Sequence, residues 1–226
     1  MLKRDTGDGS TVFCMFMSYI VIFVGLFFFL MTYNTNQISL IKENVNNALI
    51  ESNLSASITD SENYSYYYDK SNNKLHVFPY LDEINKTYDK YSETLKTNLS
   101  LSSLDNKVYT PKSGTKFDKI ISKMSVLDYV LFNTYYNEDG TAYITAQSLN
   151  GWRVLEFNNS TGFYELTNKI SPAQSQCELG KLKTPDGAII TTPSVYSKIS
   201  FDIKFGFIKE TKTLDCENTI SLILTS

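Results

Sequence analysis

The segment Val12–Met31, VFCMFMSYIVIFVGLFFFLM, constrains this chain more than any other, because its twenty residues carry no charge. As an α-helix it is about 30 Å long at 1.5 Å per residue, the thickness of the hydrocarbon core of a bilayer. Thirteen of the twenty are Val, Leu, Ile or Phe, and each favours insertion by about 0.3–0.6 kcal/mol near the helix centre. Cys14, Ser18, Tyr19 and Gly25 interrupt the run only mildly, so a membrane-spanning helix is expected over 12–31. Lys3 and Arg4 precede it, whereas Tyr33–Leu40 carries no charge. The positive-inside rule then leaves residues 1–11 in the cytoplasm as a tail or leader and exports the rest. A cleaved secretory signal is the competing reading. It calls for an apolar region of about 7–15 residues ending in a small-residue cleavage site, whereas here Phe28, Phe29, Leu30 and Met31 run into Thr32 and Tyr33. The anchor is therefore expected to stay in the mature protein, as a single pass through the cell membrane.

No Gly or Pro occurs between Gly25 and Pro79, so nothing breaks the helix as it leaves the bilayer. Ile38, Ile41, Val45, Ala48 or Leu49, and Leu54 recur at helical spacing, with Lys42, Glu43, Asn44, Asn46, Asn47 and Glu51 between them. This pattern predicts an amphipathic extension over 32–57 that buries its stripe. Residues 58–226 form the extracytoplasmic domain; about 190 residues outside the membrane suffice for one sizeable core. Tyr64, Tyr66, Tyr67 and Tyr68, the turn-like DKSNNK and Leu75–Phe78 read as a hairpin with a half-buried face, an adhesive tyrosine patch being the alternative. A second helix over Pro79–Leu99 carries Leu81, Ile84, Tyr88, Tyr91, Leu95 and Leu99 on one face, with Asp82 and Glu83 in its first turn. Its stripe is a natural partner for that of the first helix. Phe117, Ile120, Ile121 and Met124 suggest a third, short helix over Thr115–Met124.

From Val126 the signals are for strands. Tyr129–Tyr136, Ala142–Gln147, Trp152–Phe157 and Phe163–Leu166 are separated by turns at 137–140, Asn150-Gly151 and 159–162. A loop over Ser171–Gly180 carries Cys177, and Pro185-Asp186-Gly187 joins two short runs. Val195–Phe207 alternates clearly, with Val195, Ser197, Ile199, Phe201, Ile203, Phe205 and Phe207 on one face. Lys209–Asn218 reads as a polar hairpin end leading to a last strand with Ile220, Leu222 and Leu224. The expected fold class is α+β: the transmembrane helix continues into an amphipathic helix that packs, with one or two further helices, on an antiparallel β-sheet.

Catalytic signatures are missing: no phosphate loop, dinucleotide fingerprint, nucleophile elbow or zinc-helix motif occurs. His76 is the only histidine; a Ser-His or Cys-His pair would have to use it, but its flanking residues give no support for that, and no cysteine or carboxylate stands at ligand spacing from it. Glu156 and Glu165 fall on predicted strands, where carboxylates are usually solvated. The chain is read as a non-enzyme without cofactor or metal, and a net charge of −3 without a basic stripe argues against nucleic acid. Cys14 lies in the apolar run. Cys177 and Cys216 either pair, closing a loop of about 39 residues that stabilises by a few kcal/mol, or remain two buried reduced thiols. Asn-x-Ser/Thr triplets at Asn53, Asn63, Asn85, Asn98, Asn158 and Asn159 are glycosylation acceptors in form; a chain this rich in Asn, Ser and Thr produces several by chance.

The stretch GDGSTVFCMFMSYIVIFVGLFFFLMTYNTNQISLIKENVNNALI, ahead of a β-rich remainder, resembles the amino-terminal region of the type IV pilin-like superfamily. Together with DGAIITTPSVYSKISFDIKF, which looks like a late strand of such proteins, it is most similar to the TadE-like minor pilins of tight-adherence systems in Gram-positive bacteria. The resemblance implies a structural subunit of a pilus or secretion apparatus, with the bilayer and other pilin-like or assembly subunits as partners of the amino-terminal helix. It also implies leader processing after Gly7 or Gly9. The family's acidic residue at the fifth mature position would then fall on Val12 or Cys14, neither of which is acidic. A bitopic, surface-anchored ligand-binding module is the alternative.

Overall fold

The computed structural model describes residues 7–58, 64–69, 73–81, 83–137, 140–204 and 211–222. The chain divides into two compact units, 1–43 and 44–226. One helix, α1 (Gly7–Ser57), runs from the first into the second. The other elements are β1 (Tyr64–Asp69), β2 (Lys74–Pro79), α2 (Ile84–Asn98), β3 (Leu101–Asp105), β4 (Val108–Pro111), β5 (Ile121–Tyr136), β6 (Ala142–Ser148), β7 (Gly151–Asn158) and β8 (Phe163–Ser171). They continue with β9 (Gln176–Glu178), β10 (Leu182–Lys183), β11 (Ile189–Ile190), β12 (Ser194–Lys204) and β13 (Thr211–Ser221). The chain is thus α+β, with a long amino-terminal apolar helix and a sheet larger than the sequence suggested.

β1 and β2 form a separate antiparallel hairpin, in register from Tyr64 opposite Pro79 to Asp69 opposite Lys74. The main sheet has eleven strands among the described residues, with the order β11-β10-β8-β7-β6-β5-β12-β13; β4 and β3 branch from β5, and β9 pairs with β6. All pairings are antiparallel except β8 with β10, so the sheet is mixed rather than purely antiparallel. At the β6–β7 turn Gly151 adopts φ +130, and a Cβ there would stand 3.0 Å from the Ile170 side chain, so any other residue is strained.

The third helix expected over Thr115–Met124 is absent; residues 121–124 instead begin β5. Part of the reason lies in how this strand bulges; Phe117 and Ile120 themselves lie in the turn before it. Against β12, Ile121 faces Ile203 and Met124 faces Phe201, and further along Val126 faces Ile199 and Tyr129 faces Ser197. Each irregularity inserts one residue, Ser122 and Leu127, so side chains on one face of the strand recur at spacings of 3 as well as 2, which imitates a helical stripe. The Lys209–Asn218 reading is also corrected: from Thr211 this segment is strand β13, paired with β12 from Lys204–Thr211 to Ser194–Ser221. Cys177, expected in a loop, lies on the short strand β9. The hairpin of β3 and β4 went unforeseen. Phe205, Phe207 and Leu224 lie outside the described residues, as do Asp82 and residues 1–6.

In β5 every residue from Tyr129 to Thr134 is buried, and in β12 every residue from Ser194 to Ser197. Successive side chains point to opposite faces, so both faces of the sheet centre are covered. One face meets the helices. Tyr88 and Tyr91 of α2 pack on Tyr129 of β5 with ring centroids 5.1 and 5.0 Å apart, and from α1 the buried Asn53 reaches Ser197 of β12. The α2 stripe thus rests on the sheet, while α1 and α2 touch at their polar rims through Asn98 and Glu51. The other face encloses a cluster of Val130, Phe132, Ile144, Leu155, Leu182 and Tyr196, drawn from strands far apart in the sheet order. The sheet curls to do this. Thr219 of β13 donates to Asp186 in the β10–β11 turn at 2.7 Å, bringing the two ends of the order together.

Candidate functional site

In the first unit, every residue from Thr11 to Tyr33 is exposed, including Tyr19 at 72% and Phe23 at 73%. The helix is therefore apolar around its whole circumference rather than along one stripe. It is long and apolar enough to cross a membrane, and no part of its apolar window is buried. Two of its hydroxyls bond within the helix: Ser18 donates to the Cys14 carbonyl at 2.8 Å and Thr35 to the Met31 carbonyl at 2.9 Å. Such back-bonding removes the cost of a polar group in hydrocarbon. Gly7 opens α1 and Gly9 lies within its first turn.

In the second unit, β6, β9 and the β7–β8 hairpin surround an open cleft of about 490 Å³. Tyr143, Phe157 and Tyr164 supply aromatic walls, and Gln176, Glu178 and Lys181 supply polar groups. Phe157 and Tyr164 meet edge to face at 5.2 Å, and Tyr143 stacks on Tyr135 at 5.7 Å. The Tyr135 hydroxyl is buried without a hydrogen-bond partner among the described residues. Sequence reasoning missed this cleft, because its residues come from four segments that only the curled sheet assembles.

Two buried polar arrangements hold the second unit together. Asn53, fully buried on α1, donates from Nδ2 to the Asn218 carbonyl at 3.0 Å and accepts at Oδ1 from the Ser197 hydroxyl at 2.8 Å. This excludes Asn53 as a glycosylation acceptor. On the enclosed side, the Arg153 guanidinium pairs with both Asp128 oxygens at 3.3 and 3.0 Å and donates to Asn168. Burial nonetheless holds the Asp128 carboxyl above the usual carboxylate range, against the pull of Arg153. Burial likewise raises the Tyr88, Tyr91 and Tyr129 hydroxyls, so these rings stay neutral packing groups rather than proton acceptors.

The cysteine pair is not brought together. Cys177 sits in the enclosed cluster opposite Ile144, whereas Cys216 lies opposite Ile199, on the face that Ser197 presents to Asn53. The sheet stands between them, and both residues are buried and outside any disulfide. Burial pushes the Cys177 thiol up to about 12. Glu156 and Glu165 are opposite each other on β7 and β8, but Glu156 pairs with Lys169 at 2.6 Å and Glu165 accepts from Asn158 and Thr161. His76 lies on β2, opposite Tyr67; its side chain is outside those described. Tyr66 and Tyr68 are 66% and 50% exposed, so this face of the hairpin is open rather than half buried. Among the described residues no group of three or more His, Cys, Asp or Glu side chains is placed to hold a metal ion.

No protein-family model, curated protein or solved structure matches the chain.

Proposed function

We propose that the chain is a membrane-anchored, pilin-like structural subunit, which serves in the assembly of a pilus or secretion apparatus and carries its larger unit outside the cell. The observation that supports this most is the all-round apolar exposure of Val12–Met31. Such a surface is stable only in lipid or among apolar helices, so one segment serves as a membrane store and as an assembly surface. Lys3 and Arg4 set the orientation. The function is structural: the partners are the bilayer and other pilin-like or assembly subunits, with no catalytic chemistry, cofactor or nucleic acid. Mass spectrometry of the native amino terminus, combined with crosslinking in membranes, tests this. A terminus beginning after Gly7 or Gly9, or crosslinks from the helix to other membrane subunits, is the expected result. An intact Met1 or Lys3 throughout, with no helix-borne crosslink, refutes it.

The second reading is a bitopic surface binding module. It is favoured by the hairpin, where Tyr66 opposes Val77 and Tyr68 opposes Leu75, and all four are exposed. It predicts an unprocessed protein that never co-purifies with assembly partners.

A further inference from the structure

We propose that the cleft between β6, β9 and the β7–β8 hairpin binds a neutral oligosaccharide of pyranose rings. The cleft's volume, about 490 Å³, lies within the range of small-ligand sites, roughly 300–1,000 Å³. Its three aromatic rings come from three different strands and converge on one space. A pyranose ring presents an apolar C–H face to such walls and directs hydroxyls outward from its rim. Those hydroxyls both donate and accept. The polar groups beside the aromatics match this mixture: Gln176 offers an amide that does both, Glu178 accepts and Lys181 donates.

Charge narrows the ligand class. Glu178 and Lys181 carry single, opposite charges, so the cleft has no net field to select a strongly anionic or cationic ligand. Strand addition by a peptide is disfavoured, since β9 offers only three residues of edge. Phe157 stands at the lip with 51% of its surface exposed. A large ring exposed beside polar groups gains from a ligand that covers it. The cleft is independent of the apolar helix, so it can bind sugar whether or not that helix assembles with other subunits.

The test uses the full chain in a detergent without a sugar headgroup, with cellotetraose, chitotetraose and an extended tyrosine-rich peptide as probes. Saturation-transfer NMR is expected to show saturable binding of at least one tetrasaccharide, with transfer strongest to ring C–H protons. Phe157→Ala and Gln176→Ala each should weaken it roughly tenfold, the scale of one lost aromatic or polar contact. Both residues are exposed, so thermal unfolding of the variants should match the parent. Tyr66→Ala, on the separate hairpin, should leave binding unchanged. The proposal is overturned if neither sugar gives saturable transfer, if both cleft variants bind like the parent, if Tyr66→Ala alone abolishes binding, or if the peptide binds more tightly than both sugars.

Discussion

Replacing Asn53 by alanine removes two hydrogen bonds at once, the 3.0 Å donation to the Asn218 carbonyl and the 2.8 Å contact from the Ser197 hydroxyl. Each bond contributes about 0.5–1.5 kcal/mol net, and a buried group left unsatisfied costs about 1–3 kcal/mol more. Ser197 is fully buried, with the Tyr91 hydroxyl beside it as a partial substitute. The expected loss is therefore about 2–4 kcal/mol, a large share of a typical total of about 5–15 kcal/mol. At about 2–4 °C per kcal/mol for a unit of this size, Tm should fall by roughly 4–16 °C. Trp152, the only tryptophan, sits half-buried on β7 and reports unfolding by fluorescence in urea. A double-mutant cycle with Ser197→Ala should give a coupling of about 1 kcal/mol. A loss below about 0.5 kcal/mol for Asn53→Ala, or no coupling to Ser197, would refute this account of how α1 is fastened to the sheet.

The raised pKa of Asp128 means that the folded state holds this proton more tightly than the unfolded chain. That contribution is complete below the ordinary carboxylate value, about pH 4, and is lost as pH rises through the raised value. Relative to Asp128→Asn, the parent's stability in denaturant should therefore fall as pH rises from about 3 to 7; parallel curves would count against the shift. The Tyr129 hydroxyl is buried without a partner of good geometry, although Thr87 lies beside it. Tyr129→Phe should consequently change stability by less than about 1 kcal/mol or raise it, and a larger loss in thermal unfolding would reveal a bond to that hydroxyl. Cys177 and Cys216 should resist maleimide in the native protein and react after denaturation without reductant, whereas a peptide map containing a Cys177–Cys216 bridge would contradict the opposite faces assigned to them.

The helical parts of the fold were legible because their signals are local. Val45, Ala48 and Leu49 on α1, and Ile84, Tyr88, Tyr91 and Leu95 on α2, are buried at the spacing that their sequence shows. The alternation of Val195 to Ile203 likewise survives as β12, and Asn150-Gly151 marks a true turn. The start of β5 looks helical because the bulge at Ser122 sets Ile121 and Met124 three residues apart on one face. β13 was hidden for another reason: as the last strand of the sheet it exposes Thr211, Lys212 and Thr213, so its polar composition resembles a loop. Asn53 gave no signal beyond a triplet that chance also supplies, since its partners are Ser197 and Asn218. The cleft could not be read either, because Tyr143, Phe157, Gln176 and Lys181 acquire a common meaning only once the sheet has curled.

The fastening of α1 through Asn53 also sets an order of events during synthesis. Its two partners lie 144 and 165 residues further along the chain, so the helix emerges long before Asn53 can make its native bonds. Closing such long loops is slow and exposes apolar and polar groups in the meantime. The second unit therefore completes itself only after β12 and β13 have been made, and until then Asn53 must find its hydrogen bonds elsewhere, in water or in a transient partner.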